Sequence, residues 1–345
     1  MTGFSAKPHI LTIAPYIGGE AKGTTRLASN ESAYGPPPAA IEALRHMATD
    51  IHRYPDGMSE ALREALGKKH GIVPGQIVCG AGSEELIRLL AQAYAGSGDE
   101  ILYPQYGFLM YSIAAKAVGA TGIAAPETSL TADVDALLAR VTPRTKLLYL
   151  ANPNNPTGTM LPRAEIARLH KNLPPHVLLI LDAAYCEFVT REDYSAGDEL
   201  VAAGNVVVLR TFSKIYALAG LRLGWAHCPP AVADALNRVR GPFNVSAPAQ
   251  IAGLAALGEE AFIHHAKTMN EKVKAAFVAA LPRPSVPSAC NFVLAEFGPE
   301  AEKTRQTLKE KGILVRQMGA YGLPHCLRIT IGTSGEMEQV LNALK

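Results

Sequence analysis

The stretch HVLLILDAAY, residues 176–185, decides the fold, because five apolar residues in succession lead to a single acid, Asp182. A second apolar run, NVVVLRT, occupies residues 205–211. Strands that lack polar alternation are typical of a parallel sheet that helices cover on both faces. The sequence therefore predicts an α/β core in which Asp182 lies at the edge where the parallel strands end.

Short apolar runs alternate with helical patterns along the chain around this stretch. From residue 75 onward the apolar runs occupy residues 76–80, 100–103, 121–125 and 145–151, and the helical patterns occupy residues 83–95, 106–118, 133–140 and 163–172. Alternation of this kind predicts a series of βαβ units and a sheet that is mostly parallel.

The pattern changes beyond about residue 240, where helical stretches become long and apolar runs become few. Helices are predicted at 246–257, 259–281 and 300–311, and strands at 290–297, 313–318 and 326–332. We therefore predict three parts. They are an N-terminal arm in residues 1–40, a large domain in residues 41–240 and a smaller α+β domain in residues 241–345.

Composition and charge exclude several classes of function. The 345 residues carry a net charge of +2, and no block of like charges indicates a nucleic-acid or membrane-surface partner. No apolar run is long enough to span a bilayer, and the first residues do not resemble a signal peptide. The five cysteines are far apart and form no metal-binding pair. We therefore expect a reduced, cytoplasmic chain without a metal site.

Polar residues gather at the ends of the predicted strands. Asn155 lies in the loop ANPNNPTGT (151–159), and Lys214 and Arg222 lie in TFSKIYALAGLRLGW (211–225). Because the carboxyl ends of parallel strands meet at one edge, we expect these residues and Asp182 to form an active site there. A charged lysine is costly to bury, so Lys214 is expected to work as a neutral, reactive amine.

Such a set of side chains suits pyridoxal phosphate. This cofactor needs a lysine that forms a Schiff base, a carboxylate for its ring nitrogen and a cation for its phosphate. The turn in VCGAGSEELI (78–87) is either a phosphate-binding turn or a simple capped turn at the start of a helix. Dinucleotide binding is disfavoured, because the third glycine of that motif is missing.

The same residues resemble the fold-type-I pyridoxal-phosphate aminotransferases and, more narrowly, the histidinol-phosphate aminotransferases. The motifs that carry the resemblance, besides residues 211–225, are LASNESAYGPP (27–37), HRYPDG (52–57), GAGSEELI (80–87), NPNNPTG (152–158), LDAAY (181–185) and ILVRQMGAYGLPHCLRITIGT (313–333). The resemblance implies a large domain with a mostly parallel seven-stranded sheet sandwiched by helices, and a smaller α+β domain built from both chain ends. It also implies a homodimer that shares its active sites between subunits.

The activity that the resemblance implies is a transamination between small molecules, from histidinol phosphate to 2-oxoglutarate, with pyridoxal phosphate as cofactor. An aromatic amino-acid aminotransferase with the same mechanism is the alternative. Residues 30–35, NESAYG, depart from the more usual NENP of the family. This departure bears on the substrate more than on the chemistry.

Individual roles also follow from the resemblance. Lys214 would bind the cofactor and move the proton, Asp182 would pair with the ring nitrogen, and Tyr185 would tune the cofactor. The rest of the implied cofactor-binding set is Tyr54 of the partner subunit, the backbone of Ala81, Gly82 and Ser83, Tyr106 against the ring face, Asn155, Thr211, Ser213 and Arg222. The implied substrate-binding set is Tyr16 of the partner subunit, Asn30, Asn291, Arg316 and Arg328.

Overall fold

The computed structural model describes residues 4–15, 18 and 23–345. Its strands are β1 Thr25–Leu27, β2 Ile77–Gly80, β3 Glu100–Pro104, β4 Thr121–Ala125, β5 Glu127–Thr128, β6 Thr131–Ala132, β7 Thr145–Ala151, β8 Leu178–Asp182, β9 Val206–Thr211, β10 Gly224–His227, β11 Phe292–Glu296, β12 Ile313–Gln317 and β13 Cys326–Thr330. Its α-helices are α1 Pro8–Leu11, α2 Pro38–Met47, α3 Glu60–His70, α4 Ser83–Tyr94, α5 Met110–Val118, α6 Val134–Leu138, α7 Arg163–Asn172, α8 Pro230–Val239, α9 Ala247–Leu257, α10 Glu260–Ala280, α11 Ala301–Glu310 and α12 Ser334–Ala343.

Seven strands form the main sheet, in the order β2-β10-β9-β8-β7-β3-β4. β10 runs antiparallel to both of its neighbours, and the other neighbouring pairs are parallel. β8 is the central strand, and its register places Asp182 beside Ala151 of β7 and Leu209 of β9. The mostly parallel α/β core expected from the apolar runs is therefore confirmed.

Side chains of the central strands alternate between the two faces of the sheet, because successive residues of a strand point to opposite sides. Leu147 and Tyr149 of β7 pack with α4, α5 and α8 on one face. Leu148 and Leu150 pack with α6 and α7 on the other face. Both faces are thus covered by helices, which explains why these strands are apolar throughout. Full burial of one such side chain contributes about 1.5–3 kcal/mol.

A second sheet has four strands in the order β1-β12-β13-β11. β1 is parallel to β12, and β13 is antiparallel to β12 and to β11. Helices α10, α11 and α12 pack against this sheet through a separate apolar core. The N-terminal strand and the C-terminal segments therefore share one smaller α+β unit. The domain boundaries at residues 40 and 240 stay predictions.

Two local features differ from the sequence-based expectation. Helix α5 begins at Met110, although the helical pattern extends over residues 106–118. The Gly107 N–H donates to Pro104 O at 2.8 Å, so residues 104–107 close a turn before the helix starts. Strand β10 lies outside the predicted strands, because it has four residues and its partners β2 and β9 come from other parts of the chain.

The part of the chain that the structure describes has neither a membrane-spanning helix nor a metal-binding cluster. None of the helices in residues 4–15, 18 and 23–345 is long and apolar enough to cross a bilayer. Over the same residues, His, Cys, Asp and Glu side chains form no group of three or more that could hold a metal ion. All five cysteines are free thiols.

Candidate active site

A cavity of about 310 Å³ lies at the carboxyl edge of the main sheet. The ends of β7, β8 and β9 contribute Ala151, Asp182 and Thr211 to its walls. The second sheet contributes Arg316 of β12 and Arg328 of β13. Small-molecule sites typically measure ~300–1,000 Å³. The edge expected from the strand pattern is therefore a site of the size that a cofactor or a metabolite needs.

Lys214 lies in the turn after β9 and lines this cavity. Its Nζ donates a hydrogen bond to Ser29 O at 3.1 Å. Burial, and then the positive charges of Arg328 and Arg222, lower the pKa of the amine to about 8, and Glu31 opposes the shift. A substantial fraction of the amine is therefore neutral near physiological pH, which is the form that reacts with carbonyl groups.

Asp182 is a buried carboxylate in the same cavity. Its Oδ2 accepts a hydrogen bond from the Tyr111 O–H at 2.9 Å, and its Oδ1 accepts one from the Ala184 N–H at 3.2 Å. Burial raises the pKa of this carboxyl, and the two hydrogen bonds and the Lys214 charge oppose the increase. A desolvated carboxylate favours a cation that binds beside it, so Asp182 is suited to hold a protonated ring nitrogen.

Tyr185 and Asn30 form a hydrogen-bonded pair beside Lys214. Asn30 Nδ2 donates to the Tyr185 hydroxyl at 2.8 Å, and Lys214 Nζ lies 5.7 Å from the centre of the Tyr185 ring. Burial raises the pKa of the Tyr185 phenol well above its usual value, so this hydroxyl stays neutral. The pair therefore offers a hydrogen-bonding group next to the reactive amine.

Arg222, Ser213 and the start of α4 form an anion cradle. Arg222 Nη1 donates to Ser213 Oγ at 3.2 Å, and the Ser213 N–H donates to Thr211 Oγ1 at 3.1 Å. A Cβ atom on Gly82 would lie 2.5 Å from Arg222 Nη2, so only glycine leaves room for the guanidinium there. Helix α4 begins at Ser83, and Gly82 occupies the N-cap position. A helix N-terminus beside an arginine suits a phosphate group.

The backbone amides predicted to bind phosphate are not equivalent. The Ala81 N–H donates to Glu85 Oε2 at 2.6 Å, and the Gly82 N–H donates to Gly80 O at 2.7 Å. Both amides are thus engaged within the protein. Ser83 remains as the backbone donor at the first position of α4, where the helix dipole favours an anion.

Two arginines of the second sheet also line the cavity. Arg328 is 6% exposed, its Nη2 donates to Ala28 O at 2.7 Å, and its Nη1 donates to Asn155 Oδ1. Its Nε is buried and has no hydrogen-bond partner among the described residues. Arg316 is its register partner in the β12–β13 pair. Two neighbouring guanidinium groups of this kind suit an anionic ligand, whether carboxylate or phosphate.

Most of the predicted site residues come together in this cavity. Those that line it are Asn30, Ser83, Asn155, Asp182, Tyr185, Thr211, Ser213, Lys214, Arg222, Arg316 and Arg328. Asn291 lies behind them, since its Nδ2 donates to Asn30 O at 3.2 Å and to Glu31 O at 3.3 Å. Tyr54 is 83% exposed and does not line the cavity. Tyr16 lies outside the described residues.

Phe108 and Tyr111 are residues of this site that the sequence reasoning missed. Phe108 lines the cavity, whereas Tyr106, which was predicted to cover the cofactor ring, is not among the lining residues. The sequence does show Phe108 as a second aromatic residue, two positions after Tyr106, and this was the signal that could have identified it. No signal in the sequence pairs Tyr111 with Asp182, because α5 and β8 meet only through packing on the sheet.

The class of protein follows from what Lys214 can do in these surroundings. A reactive amine between a buried acid and an anion cradle matches the needs of an aldehyde cofactor that carries a ring nitrogen and a phosphate. Enzymes that use such a lysine on a mostly parallel seven-stranded sheet are fold-type-I transferases. The chain belongs to the family described as aminotransferase class I and II, which matches residues 22–344.

Within that family the chain is similar to histidinol-phosphate aminotransferases. The enzyme of that name from Rhodospirillum centenum is 59% identical, over 100% of this chain and 98% of the relative. The one from Paramagnetospirillum magneticum is 57% identical, over 100% of this chain and 99% of the relative. The crystal structure of histidinol-phosphate aminotransferase from Sinorhizobium meliloti in complex with pyridoxal-5'-phosphate superposes with a TM-score of 0.92 and 30% identity, over 99% of this chain and 97% of that chain.

Proposed function

We propose that this chain transfers the amino group of histidinol phosphate to 2-oxoglutarate, with pyridoxal phosphate as its cofactor. The observation that carries the proposal is Lys214, an amine with a pKa of about 8 that shares one cavity with Asp182 and Arg222. The full-length similarity to histidinol-phosphate aminotransferases supports the choice of amino donor. Aromatic amino-acid transamination is not favoured, because these full-length relatives are histidinol-phosphate enzymes.

The residues present fit pyridoxal phosphate. Gly82 has no Cβ, and Arg222 occupies the space that a Cβ would fill. The anion cradle formed by Arg222, Ser213 and the start of α4 suits a phosphate group. Asp182 would hold the ring nitrogen, and Lys214 would hold the aldehyde carbon. Asn155 Oδ1 is engaged by Arg328, so its amide nitrogen is the group that would donate to the phenolic oxygen together with the Tyr185 hydroxyl. We assign the ring face to Phe108, because it lines the cavity.

Each side chain of the site then has a chemical task. When bound, pyridoxal phosphate supplies an electron-withdrawing ring that makes the Cα–H bond of the amino donor acidic. Asp182 would keep the proton on the ring nitrogen, because a buried carboxylate would stabilise the positive charge there. Lys214 Nζ would take the proton from the donor Cα as a base and, as an ammonium group, would deliver it as an acid to the carbon that had carried the aldehyde.

Arg316 and Arg328 account for the use of two unlike amino donors in one cavity. Glutamate presents carboxylates, whereas histidinol phosphate presents a phosphate and has no carboxylate. A guanidinium group binds either anion through a pair of parallel hydrogen bonds. The same two arginines would therefore bind carboxylate in one half-reaction and phosphate in the other.

We also propose a homodimer with shared active sites, and a cytoplasmic location. Tyr54 and Phe243 stack at 4.6 Å between ring centres on the surface, with Tyr54 83% and Phe243 43% exposed. A stacked, exposed aromatic pair suits a protein interface better than water. Five free thiols without a disulfide are consistent with a reducing compartment.

The function is tested by a half-reaction titration of purified, cofactor-loaded protein. Histidinol phosphate, phenylalanine, tyrosine and glutamate are added separately, and the visible absorbance of the lysine-bound cofactor is followed. We expect histidinol phosphate and glutamate to convert the cofactor and the aromatic amino acids to respond weakly. Lys214→Ala, with its fold checked by circular dichroism, should show neither the absorbance nor turnover. Conversion by phenylalanine or tyrosine without conversion by histidinol phosphate would overturn the choice of donor.

A further inference from the structure

Glu127 contacts the segment that carries Phe108 into the active site. The Tyr106 N–H donates to Glu127 Oε1 at 2.8 Å. Tyr106 precedes Phe108 by two residues, and the intervening Gly107 is fixed by its own hydrogen bond to Pro104 O. The carboxyl group of Glu127 therefore holds the backbone from which the Phe108 side chain reaches the cavity.

Asn154 holds the same residue from its other end. Asn154 Nδ2 donates to Tyr106 O at 3.2 Å and to Thr157 Oγ1 at 3.0 Å. Asn154 is the neighbour of Asn155, which lines the cavity. Both polar groups of the Tyr106 backbone are thus bonded to side chains, one from β5 and one from the loop that follows β7.

The two holding side chains each keep one buried oxygen without a hydrogen-bond partner among the described residues, Glu127 Oε2 and Asn154 Oδ1. A buried polar atom without a hydrogen-bond partner is costly, and the cost is much larger for a charged group than for a neutral one. For Glu127 the simplest solution is a proton on Oε2, which leaves Oε1 as the acceptor for the Tyr106 N–H. The geometry thus favours a neutral carboxylic acid.

We propose that Glu127 is a positioning residue that fixes the Tyr106 backbone and thereby sets the placement of Phe108 against the cofactor. This inference rests on the proposed cofactor and on the assignment of Phe108 to its ring face. Phe108 also meets Tyr111 edge-to-face, with 6.0 Å between ring centres, and Tyr111 donates to Asp182. Displacement of the segment would therefore disturb the ring face and the support of Asp182 together.

The charge state of Glu127 makes this contact dependent on pH. Burial raises the pKa of Glu127 to about 7, and the Tyr106 N–H opposes the increase. Two titratable groups belong to the segments that contact β5, the Tyr106 phenol and Asp133 after β6, and Asp133 is already bonded to Thr128 Oγ1 and the Ala136 N–H. The neutral acid therefore prevails below about pH 7, and a buried anion forms above it. The carboxylate is the stronger acceptor for the Tyr106 N–H, but burial of the anion costs more than this bond returns, so opening that hydrates Glu127 becomes more favourable as the pH rises to about 7. We therefore expect the segment to be held best on the acidic side.

The test is amide hydrogen exchange of peptides that cover residues 105–109, at about pH 6 and about pH 8, corrected for the intrinsic exchange rate. The proteins are wild type, Glu127→Gln, Glu127→Leu and the control Asp99→Asn, each with and without pyridoxal phosphate. Asp99 also accepts a backbone N–H, from Gly96 at 3.0 Å, but it does not line the cavity. The release rate of pyridoxal phosphate is measured in parallel.

We expect Glu127→Leu to exchange about tenfold faster at both pH values, and to release the cofactor faster. Glu127→Gln keeps an acceptor for Tyr106 and has no charge to gain, so it should stay protected at both pH values. Wild type and Asp99→Asn should both lose protection between about pH 6 and pH 8.

Wild-type protection in Glu127→Leu, or a pH response in Glu127→Gln equal to that of wild type, would overturn the proposal. The comparison of Glu127→Gln with wild type decides the matter if Glu127→Leu does not fold. Failure of the proposed function gives a different result. In that case wild type does not convert histidinol phosphate, whereas its hydrogen exchange still follows the expected pattern.

Discussion

Lys214 owes its reactivity to its surroundings. Burial is the largest cause of its low pKa, and Arg328 and Arg222 add to it by like-charge repulsion. At about pH 7.5 an amine of pKa about 8 is roughly one-quarter neutral, whereas an ordinary lysine is about 0.1% neutral. The two arginines that line the cavity therefore also keep part of the amine in its neutral, reactive form.

The pH dependence of cofactor capture tests this view of Lys214. The folded protein disfavours the charged amine, so the rate at which apoprotein captures pyridoxal phosphate should rise with pH through about 8 and then level off. Arg328→Gln removes one repelling charge and should move this midpoint to higher pH. Arg238→Gln, an exposed arginine paired with Asp234 on α8, is the matched control and should leave it unchanged. A wild-type midpoint at the usual lysine value, about 10.4, would contradict the assignment.

Individual site residues could be predicted where they follow a strand in the sequence. Asp182 is the last residue of β8 and Lys214 follows the last residue of β9 by three positions, so their place at the sheet edge follows from the pattern of apolar runs. Tyr111 supports Asp182 across the packed layer between α5 and β8, and no spacing in the chain encodes that contact. The resemblance implied Tyr106 for the ring face, whereas Phe108 is the aromatic residue that lines the cavity, beyond a turn at residues 104–107 that the sequence pattern does not show.

The turn between β2 and α4 is the element that makes room for the anion cradle. Gly82 has a φ of +84°, in the left-handed region, and its missing Cβ is the space that Arg222 Nη2 occupies. The sequence left open whether this turn binds phosphate or only starts a helix. The close approach of an arginine to a glycine N-cap favours phosphate binding, because a turn that merely starts a helix does not require that cation.

Substitution of Gly82 tests the cradle. Gly82→Ala should cost about 1–2 kcal/mol of folding free energy for the left-handed backbone. It should also push Arg222 away, and we expect the dissociation constant of pyridoxal phosphate to rise by roughly 10- to 100-fold with the loss of this charge-assisted contact. Gly98→Ala is the matched control, because Gly98 also has a left-handed φ, +93°, and no heavy atom lies within 4 Å of its added Cβ. Equal cofactor affinity in Gly82→Ala and wild type would show that the phosphate binds elsewhere.

The longer elements could be predicted better than the short ones. α7, α9, α10 and α11 begin and end within two residues of the ranges expected from their apolar periodicity. β10 could not be found in this way, since its four residues gain their stability from pairing with β2 and β9 and not from a pattern of their own. Short strands are fixed by tertiary contacts, and a single sequence does not display those.

At the scale of the whole molecule, the two ends of the chain complete the site. The Asn30 N–H donates to Thr330 Oγ1 at 3.0 Å, and Arg328 Nη2 donates to Ala28 O. The N-terminal segment thus lies between the second sheet and the cavity. Periodicity predicted a second unit but not which chain segments it would join. The resemblance to known aminotransferases supplied that expectation, and the second sheet contains β1 beside β12.

Tyr54 raises the question of a second subunit, because it lies outside the cavity of its own chain. Its ring is stacked on Phe243, whose φ of +54° is uncommon for an aromatic residue. Tyr54 is exposed and its ring stacks on Phe243. In a dimer of twofold symmetry, such a side chain can reach the active site of the neighbouring copy. A site that is complete only in the dimer makes a sharp kinetic prediction.

Hybrid dimers of two inactive variants should recover activity. Lys214→Ala lacks the reactive amine, and Tyr54→Ala lacks the group supplied to the partner, so each homodimer has two defective sites. A hybrid contains one site in which both residues are intact, and random 1:1 assembly would give about a quarter of the wild-type activity. Activity of subunits refolded together is compared with the sum of the two variants refolded alone, with hybrid formation confirmed by differently tagged chains. Confirmed hybrids without recovery would place Tyr54 in the site of its own chain, because then no subunit of the mixture carries both residues.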